Sequence, residues 1–225
     1  MNATAGEHRR HYVPGMGRHH LLPLYDPLSR LLGVTAIHRP LVDQAAVRTG
    51  QRLLEIGCGT GNLALLVARL HPGAEVTGID PDPRALARAR RKAARRGTPV
   101  RWDRGFAQDL PYPDAAFDRV LSSLMLHHLE ADDKVASLRE ARRVLRPGGT
   151  LHVVDLAGAG APPRGLVARV AHRRPRRHGT FEDRIPALLE EAGFVDPAEV
   201  DRRVHLFGPC AYHRAATPMV EDRSC

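Results

Sequence analysis

The stretch "LLEIGCGTGNLALLVARL", residues 53–70, packs three glycines into five positions between an apolar run and a helical pattern. Few folds place glycine so densely at the boundary between a strand and a helix. The apolar "RLLEI" (52–56) reads as a buried strand and "NLALLVARL" (62–70) as a helix. Glycine between them permits backbone angles that other residues avoid and lets a ligand approach the chain without meeting a Cβ. In an open α/β sheet the ligand crevice lies at the carboxyl ends of the strands, where this turn falls.

The alternation continues beyond the turn. "EVTGI" (75–79) reads as a second strand after the Pro72-Gly73 break, and "PRALARARRKAARR" (83–96) as a helix opened by Pro83 and stopped by Gly97. "VRWDRGF" (100–106), "FDRVLS" (117–122) and "TLHVVDL" (150–156) are three more strands, with the helix "DDKVASLREARRVL" (132–145) between the last two. Strand and helix patterns taking turns predict parallel β units with covering helices. "FEDRIPALLEEAGF" (181–194) predicts a helix ended by Gly193, and 195–216 predicts two extended runs bent around Gly208-Pro209. A late hairpin of this kind gives the sheet an antiparallel edge. Pro14, Pro23, Pro27 and Pro40 cut the first 50 residues into short helical pieces such as "DPLSRLL" and "PLVDQAAV". These are expected to form a helical cap (1–50) over the strand ends, part of the same domain as the ligand-binding body (51–225).

Composition narrows the class. The chain of 225 residues is long enough for one sizeable core, and 43% hydrophobic beside 26% charged residues marks a soluble globular protein. No apolar run approaches the roughly 18 to 20 residues of a membrane span, and the N-terminus lacks a signal-peptide pattern, so a cytoplasmic location is expected. Cys58, Cys210 and Cys225 have no paired spacing, and the thirteen histidines, with His19-His20 and His127-His128 as adjacent pairs, show no zinc-ligand spacing. Neither a disulfide framework nor a metal site is expected. The net charge of +9 admits nucleic acid or an anionic surface as partner. However, Arg84, Arg88, Arg91 and Arg95 recur at helical spacing, and Arg169, Arg173, Arg174, Arg176 and Arg177 crowd one segment. A solvated helix face and a basic loop are the first reading of both, and nucleic acid is not the favoured partner.

Asp80 stands 19 residues beyond Gly61, at the end of the second strand, where its carboxylate can accept from ribose hydroxyls. Glycine turn and acid together describe a nucleoside site. The dinucleotide fingerprint GxGxxG requires glycine at the position held by Asn62, so its register fails. The GxGxG pattern preceded by Glu55 instead resembles motif I of the class I S-adenosylmethionine-dependent methyltransferases. The resemblance continues through "GIDPDP" (78–83), "FAQDLPYPDAAFDRVLSSLMLHHL" (106–129), "LREARRVLRPGGTLHVVDL" (138–156) and "LLEEAGF" (188–194).

That resemblance implies a Rossmann-like, doubly wound α/β fold: a mostly parallel seven-stranded sheet with a C-terminal antiparallel hairpin and an N-terminal helical cap. It implies S-adenosylmethionine as cofactor, with Glu55, Gly57, Cys58, Gly59 and Gly61 lining its methionine side. Asp80 is implied for the ribose with Pro81 beside it, Phe106-Ala107-Gln108 for the adenine, and Ser122 and Ser123 for the floor under the methionine moiety. Phe106 departs from the Asp often found there, and its ring can pack on adenine but cannot accept from the exocyclic amine.

Methyl transfer from a sulfonium is an in-line displacement, in which alignment and desolvation lower much of the barrier. An acceptor hydroxyl or ammonium must still lose a proton, and His127, just past the fourth strand, is the preferred base over His128. The segment "SSLM" lacks the Asn/Asp-Pro-Pro-Tyr/Phe pattern of base-amine methylation. The chain is similar to quinone-biosynthesis, phospholipid and natural-product methyltransferases, which implies a small-molecule acceptor methylated on O, N or C. Tyr12 and Tyr25 in the cap are candidates to close the site, although Asp26 and Pro27 also look like an ordinary helix start. Two other readings stay open: an RNA or protein methyltransferase using the basic face, and a non-catalytic nucleoside-binding module.

Overall fold

The computed structural model describes residues 34–157, 184–205 and 208–219. The rest of the expected cap, with Tyr12, Tyr25 and Asp26, lies outside the described residues, as do Cys225 and the arginine cluster at 169–177. In chain order the elements are α1 (Val34–Ala45), β1 (Arg52–Ile56), α2 (Asn62–Leu70), β2 (Glu75–Asp80), α3 (Pro83–Arg96) and β3 (Arg101–Arg104). There follow β4 (Phe117–Ser123), a 3-10 turn (Leu126–His128), α4 (Ala131–Val144), β5 (Leu145–Leu156), α5 (Ile185–Glu191), β6 (Val195–His205) and β7 (Gly208–Ala216).

The seven strands form one sheet in the order β3-β2-β1-β4-β5-β7-β6. The first five run parallel, β7 lies antiparallel beside β5, and β6 closes the hairpin at the edge. This is the Rossmann-like sheet with its antiparallel C-terminal hairpin. Strand order reverses between β1 and β4, so the crevice for a ligand opens above these two strands. Apolar side chains pack on both faces. Leu53, Leu121 and Tyr212 meet helices α1 to α3 on one side, and Leu54, Val120 and Leu151 meet α4 and α5 on the other. No helix of the described residues is long and apolar enough to cross a membrane.

Local chemistry sets the boundaries that matter for the site. The Asp82 side chain accepts from the Arg84 amide at 2.8 Å, Pro83 fills the first helical position, and Gly97 closes α3 in the left-handed region. Several expected boundaries move, among them that of the third strand, read as 100–106 and found as Arg101–Arg104. Pro40 does not cut the N-terminal segment but lies inside α1. It removes one donor to the carbonyl four residues back, while burial of Ile37, Leu41, Val42 and Ala45 on one face holds the helix together. β5 begins at Leu145, because Leu145 pairs with Phe117 and a register shift then carries Arg146–Gly149 outside the ladder. α5 spans Ile185–Glu191, with Pro186 in its first turn and Gly193 beyond its end at φ 86°. The residues 181–183 at the expected start of that helix lie outside the described ones.

Candidate active site

The glycine turn is fastened to β2 before any ligand arrives. The amides of Gly57 and Cys58 both donate to the Ile79 carbonyl, at 2.9 and 3.0 Å, and the Gly61 amide donates to the Cys58 carbonyl at 2.8 Å. Gly57, Gly59 and Gly61 all have positive φ, at 72°, 51° and 77°. Their surroundings differ. A Cβ on Gly57 would run into the Met125 side chain and one on Gly61 into the Trp102 ring, whereas one on Gly59 would meet nothing within 4 Å. Gly61 therefore serves close packing of α2 on the β3 side, and Gly59 faces open space.

That space is a pocket of about 320 Å³ at the carboxyl ends of β1, β2 and β4. Its volume falls at the lower end of the usual range for ligand sites. Asp80 forms one wall: its Oδ2 accepts from the Gly59 amide at 2.7 Å and its Oδ1 from the Asp82 amide at 2.9 Å. Each carboxylate oxygen has a second lone pair, so the side chain that braces the turn can still accept from ribose hydroxyls. Burial raises its carboxyl above the ordinary value, against the pull of the two amides. Glu55, 3% exposed, accepts from the Ala64 amide at 2.7 Å. Burial pushes its carboxyl up to about 8, with the nearby Asp80 adding and Lys92 opposing. A cation placed beside Glu55 would find a group ready to ionise.

The sequence candidates divide in space. Glu55, Gly57, Cys58, Gly59, Asp80, Pro81, Phe106, Ala107, Gln108 and Ser123 line the pocket. Gly61, Ser122 and His127 stand outside the lining: Gly61 packs on Trp102, Ser122 is buried with its Oγ unpaired among the described residues, and His127 turns to Asp155. The rings of the two neighbouring histidines on the short 3-10 turn lie against each other, centroids 4.0 Å apart, and of the two only His128 lines the pocket. Its burial, with the neighbouring His127 adding, pushes its ring down to about 4.

His127 Nδ1 lies 2.6 Å from Asp155 Oδ1, and its backbone amide donates to Asp155 Oδ2 at 3.3 Å. Asp155 is 2% exposed. Burial by itself would raise its carboxyl, but His127 and the hydrogen bonds from His127 and the Leu156 amide outweigh it and hold the group below its ordinary value. Sequence reasoning missed Asp155, Met125 and His38 at this site. The sequence carries one trace of His38, a polar residue set in the apolar stripe of Ile37, Leu41, Val42 and Ala45.

Comparison with known proteins places this geometry. Residues 53–149 match a family model described as a methyltransferase domain. Demethylmenaquinone methyltransferase of Thermus thermophilus is 42% identical over 160 residues, 68% of this chain and 70% of that enzyme. The chain belongs to the class I S-adenosylmethionine-dependent methyltransferases. A second relative, 27-O-demethylrifamycin SV methyltransferase of Amycolatopsis mediterranei, is 36% identical over 167 residues, 72% of this chain and 60% of that protein. Among solved structures the [4+2]-cyclase SpnF superposes with a TM-score of 0.67 at 23% identity, covering 82% of both chains, and shows the fold alone.

This methyltransferase is an enzyme of small-molecule methylation with S-adenosylmethionine as cofactor. The relatives favour neither RNA or protein methylation nor a non-catalytic nucleoside module. The residues fit the cofactor: open space above Gly59, acceptors at Asp80, a raised carboxyl at Glu55 for a cation, and the half-buried Phe106 for an aromatic ring.

Proposed function

We propose that this methyltransferase acts on a hydroxyl, amine or acidic carbon whose proton is removed by His127, held in place by Asp155. The observation that carries the reading is the 2.6 Å contact between His127 Nδ1 and Asp155 Oδ1. An ionised Asp155 can only accept, so Nδ1 carries the proton and Nε2 is the basic nitrogen. Bound S-adenosylmethionine supplies an electrophilic methyl on sulfonium and a neutral thioether as leaving group. The chain aligns the acceptor, excludes water and takes one proton onto Nε2.

His128 is the weaker base, because a ring pushed down to about 4 has little affinity for a proton at neutral pH. His127 stands outside the lining of the pocket, so on this reading the acceptor meets the methyl from that outer side. Glu55, Gly57, Cys58, Gly59, Asp80 and Pro81 are proposed to hold the methionine and ribose parts, and Phe106, Ala107 and Gln108 the adenine. Gly61 and Ser122 are proposed to act through packing. The names of the relatives point to acceptors akin to a demethylmenaquinone or a demethylrifamycin. The anionic-surface contact that the arginine stripe of α3 admits remains part of this reading, subordinate to the small-molecule acceptor.

Single-turnover rates test the assignment. His127→Gln should lower the chemical rate by about 10²- to 10⁴-fold with cofactor affinity unchanged, and the wild-type rise of rate with pH should vanish in the variant. Loss of rate in His128→Gln with a normal rate in His127→Gln would transfer the role to the neighbour.

A further inference from the structure

His38 is 6% exposed and stands within the apolar face of α1. Buried imidazoles ordinarily have a hydrogen-bond partner, since an unmade bond in the interior costs free energy. Neither ring nitrogen of His38 has one among the described residues, and the side chain forms part of the pocket wall beside Glu55, Thr60 and Asn62. Its position is fixed from behind. Gln44 Nε2 donates to the His213 carbonyl at 3.0 Å and the Tyr212 hydroxyl to the Ile37 carbonyl at 3.2 Å, tying α1 to β7. Because α1 packs on α2, β4 and β5, His38 enters the pocket away from the β2 end where Asp80 stands.

The charges around the ring have a sign. Lys92 Nζ donates to Asn62 Oδ1 at 2.7 Å and to Thr60 Oγ1 at 3.1 Å, so its ammonium is held against the glycine turn. Burial, with the Lys92 charge adding to it, lowers the His38 ring to about 4. The imidazole is therefore neutral, with one N–H to donate, and the potential around it favours an anion. The amino-acid end of the cofactor offers two charged groups, a carboxylate and an ammonium. Glu55 suits the ammonium, which leaves the carboxylate for the donor side.

On the cofactor assignment made above, we infer that His38 is a cofactor-binding residue whose ring N–H donates to the α-carboxylate of the methionine moiety. It would do so from the helix before the sheet, independently of the glycine turn and of Asp80.

Titration calorimetry with two ligands separates this role from packing: S-adenosylmethionine, and its decarboxylated form, which keeps the sulfonium and the amine. Wild-type protein should prefer the carboxylated ligand. His38→Phe should bind S-adenosylmethionine about 10- to 100-fold more weakly while binding the decarboxylated ligand as before. His38→Asn, which restores an N–H donor, should recover part of the loss. Equal weakening of both ligands, or of neither, overturns the inference. Should His38→Phe fail to fold, nitrogen-15 histidine spectra of wild-type protein decide instead. The His38 N–H resonance should move with S-adenosylmethionine and stay with the decarboxylated ligand, and identical responses overturn the inference. Binding of neither ligand by wild-type protein would remove the cofactor assignment itself, and the inference with it.

Discussion

At one end of the pocket both oxygens of Asp80 already receive backbone amides, whereas at the other the wall includes His38 and Ser123, polar side chains that no described residue bonds. The first end is organised by the chain for its own sake, since the same carboxylate holds the Gly59 turn and the start of α3. The second end is completed by whatever binds there. A ligand therefore meets a rigid anchor at one side and unsatisfied donors, with a carboxyl near its titration point, at the other. On the proposed cofactor assignment, the nucleoside would be read by geometry, and the charged amino acid by the free energy of satisfying polar groups in the pocket wall.

The largest expected effect is at the anchor. Asp80→Ala removes the proposed ribose acceptor and the brace of the glycine turn together, and two charge-assisted bonds of roughly 1.5 to 3 kcal/mol each predict at least about 10²-fold weaker cofactor binding by calorimetry. Methylthioadenosine, which lacks the amino-acid end, should lose the same factor. An unchanged affinity would mean that Asp80 serves the fold alone.

Glu55 sharpens the contrast at the other end. Only its ionised form attracts a cation, so affinity for S-adenosylmethionine should climb as pH rises toward about 8 and then level off. His38 and His128, both near 4, are already neutral across that window. The folded value lies above the unfolded one, so the stability that protonated Glu55 contributes is full below about 4.3 and is lost as pH rises to about 8. Glu55→Gln should abolish the pH dependence of binding and stabilise the ligand-free protein at pH 8 by on the order of 2 to 4 kcal/mol in denaturant titrations. A mutant that kept the wild-type pH profile of binding would assign the titration elsewhere.

The glycines divide in the same way. Gly61→Ala drives a methyl into Trp102 and should cost about 2 to 4 kcal/mol of stability, while Gly59→Ala should cost only about 1 to 2 for its left-handed backbone yet weaken cofactor binding. Thermal melts and calorimetry on the pair distinguish packing from ligand approach. Smallest of all is Phe106, half-buried in the pocket wall. If its ring packs on adenine, Phe106→Ala should weaken binding by about 0.5 to 1.5 kcal/mol and Phe106→Tyr by less. Equal losses would leave Phe106 a core residue.

The same contrast marks what the sequence discloses. The bounds of β1, α2 and α3 were legible to the residue, because Pro83, Gly97 and the glycine turn mark them with local backbone chemistry. Asp80 was legible for the same reason, being fixed by its distance along the chain from the turn. His38 and Asp155 were not. His38 joins the site only because α1 docks on α2, β4 and β5, and Asp155 meets His127, 28 positions away in the chain, because β4 and β5 are neighbours in the sheet. Pro40 misled for a related reason, since tertiary burial on one face of α1 outweighed a local helix-breaking signal.

The most direct test of the whole account is to incubate the protein with methyl-labelled S-adenosylmethionine and a cellular metabolite extract, and to follow label and cofactor by mass spectrometry. The account predicts saturable binding of one S-adenosylmethionine per chain, labelled methyl in a small-molecule product, and one S-adenosylhomocysteine formed for each methyl transferred. Tight binding of NADH with no affinity for S-adenosylmethionine would contradict it.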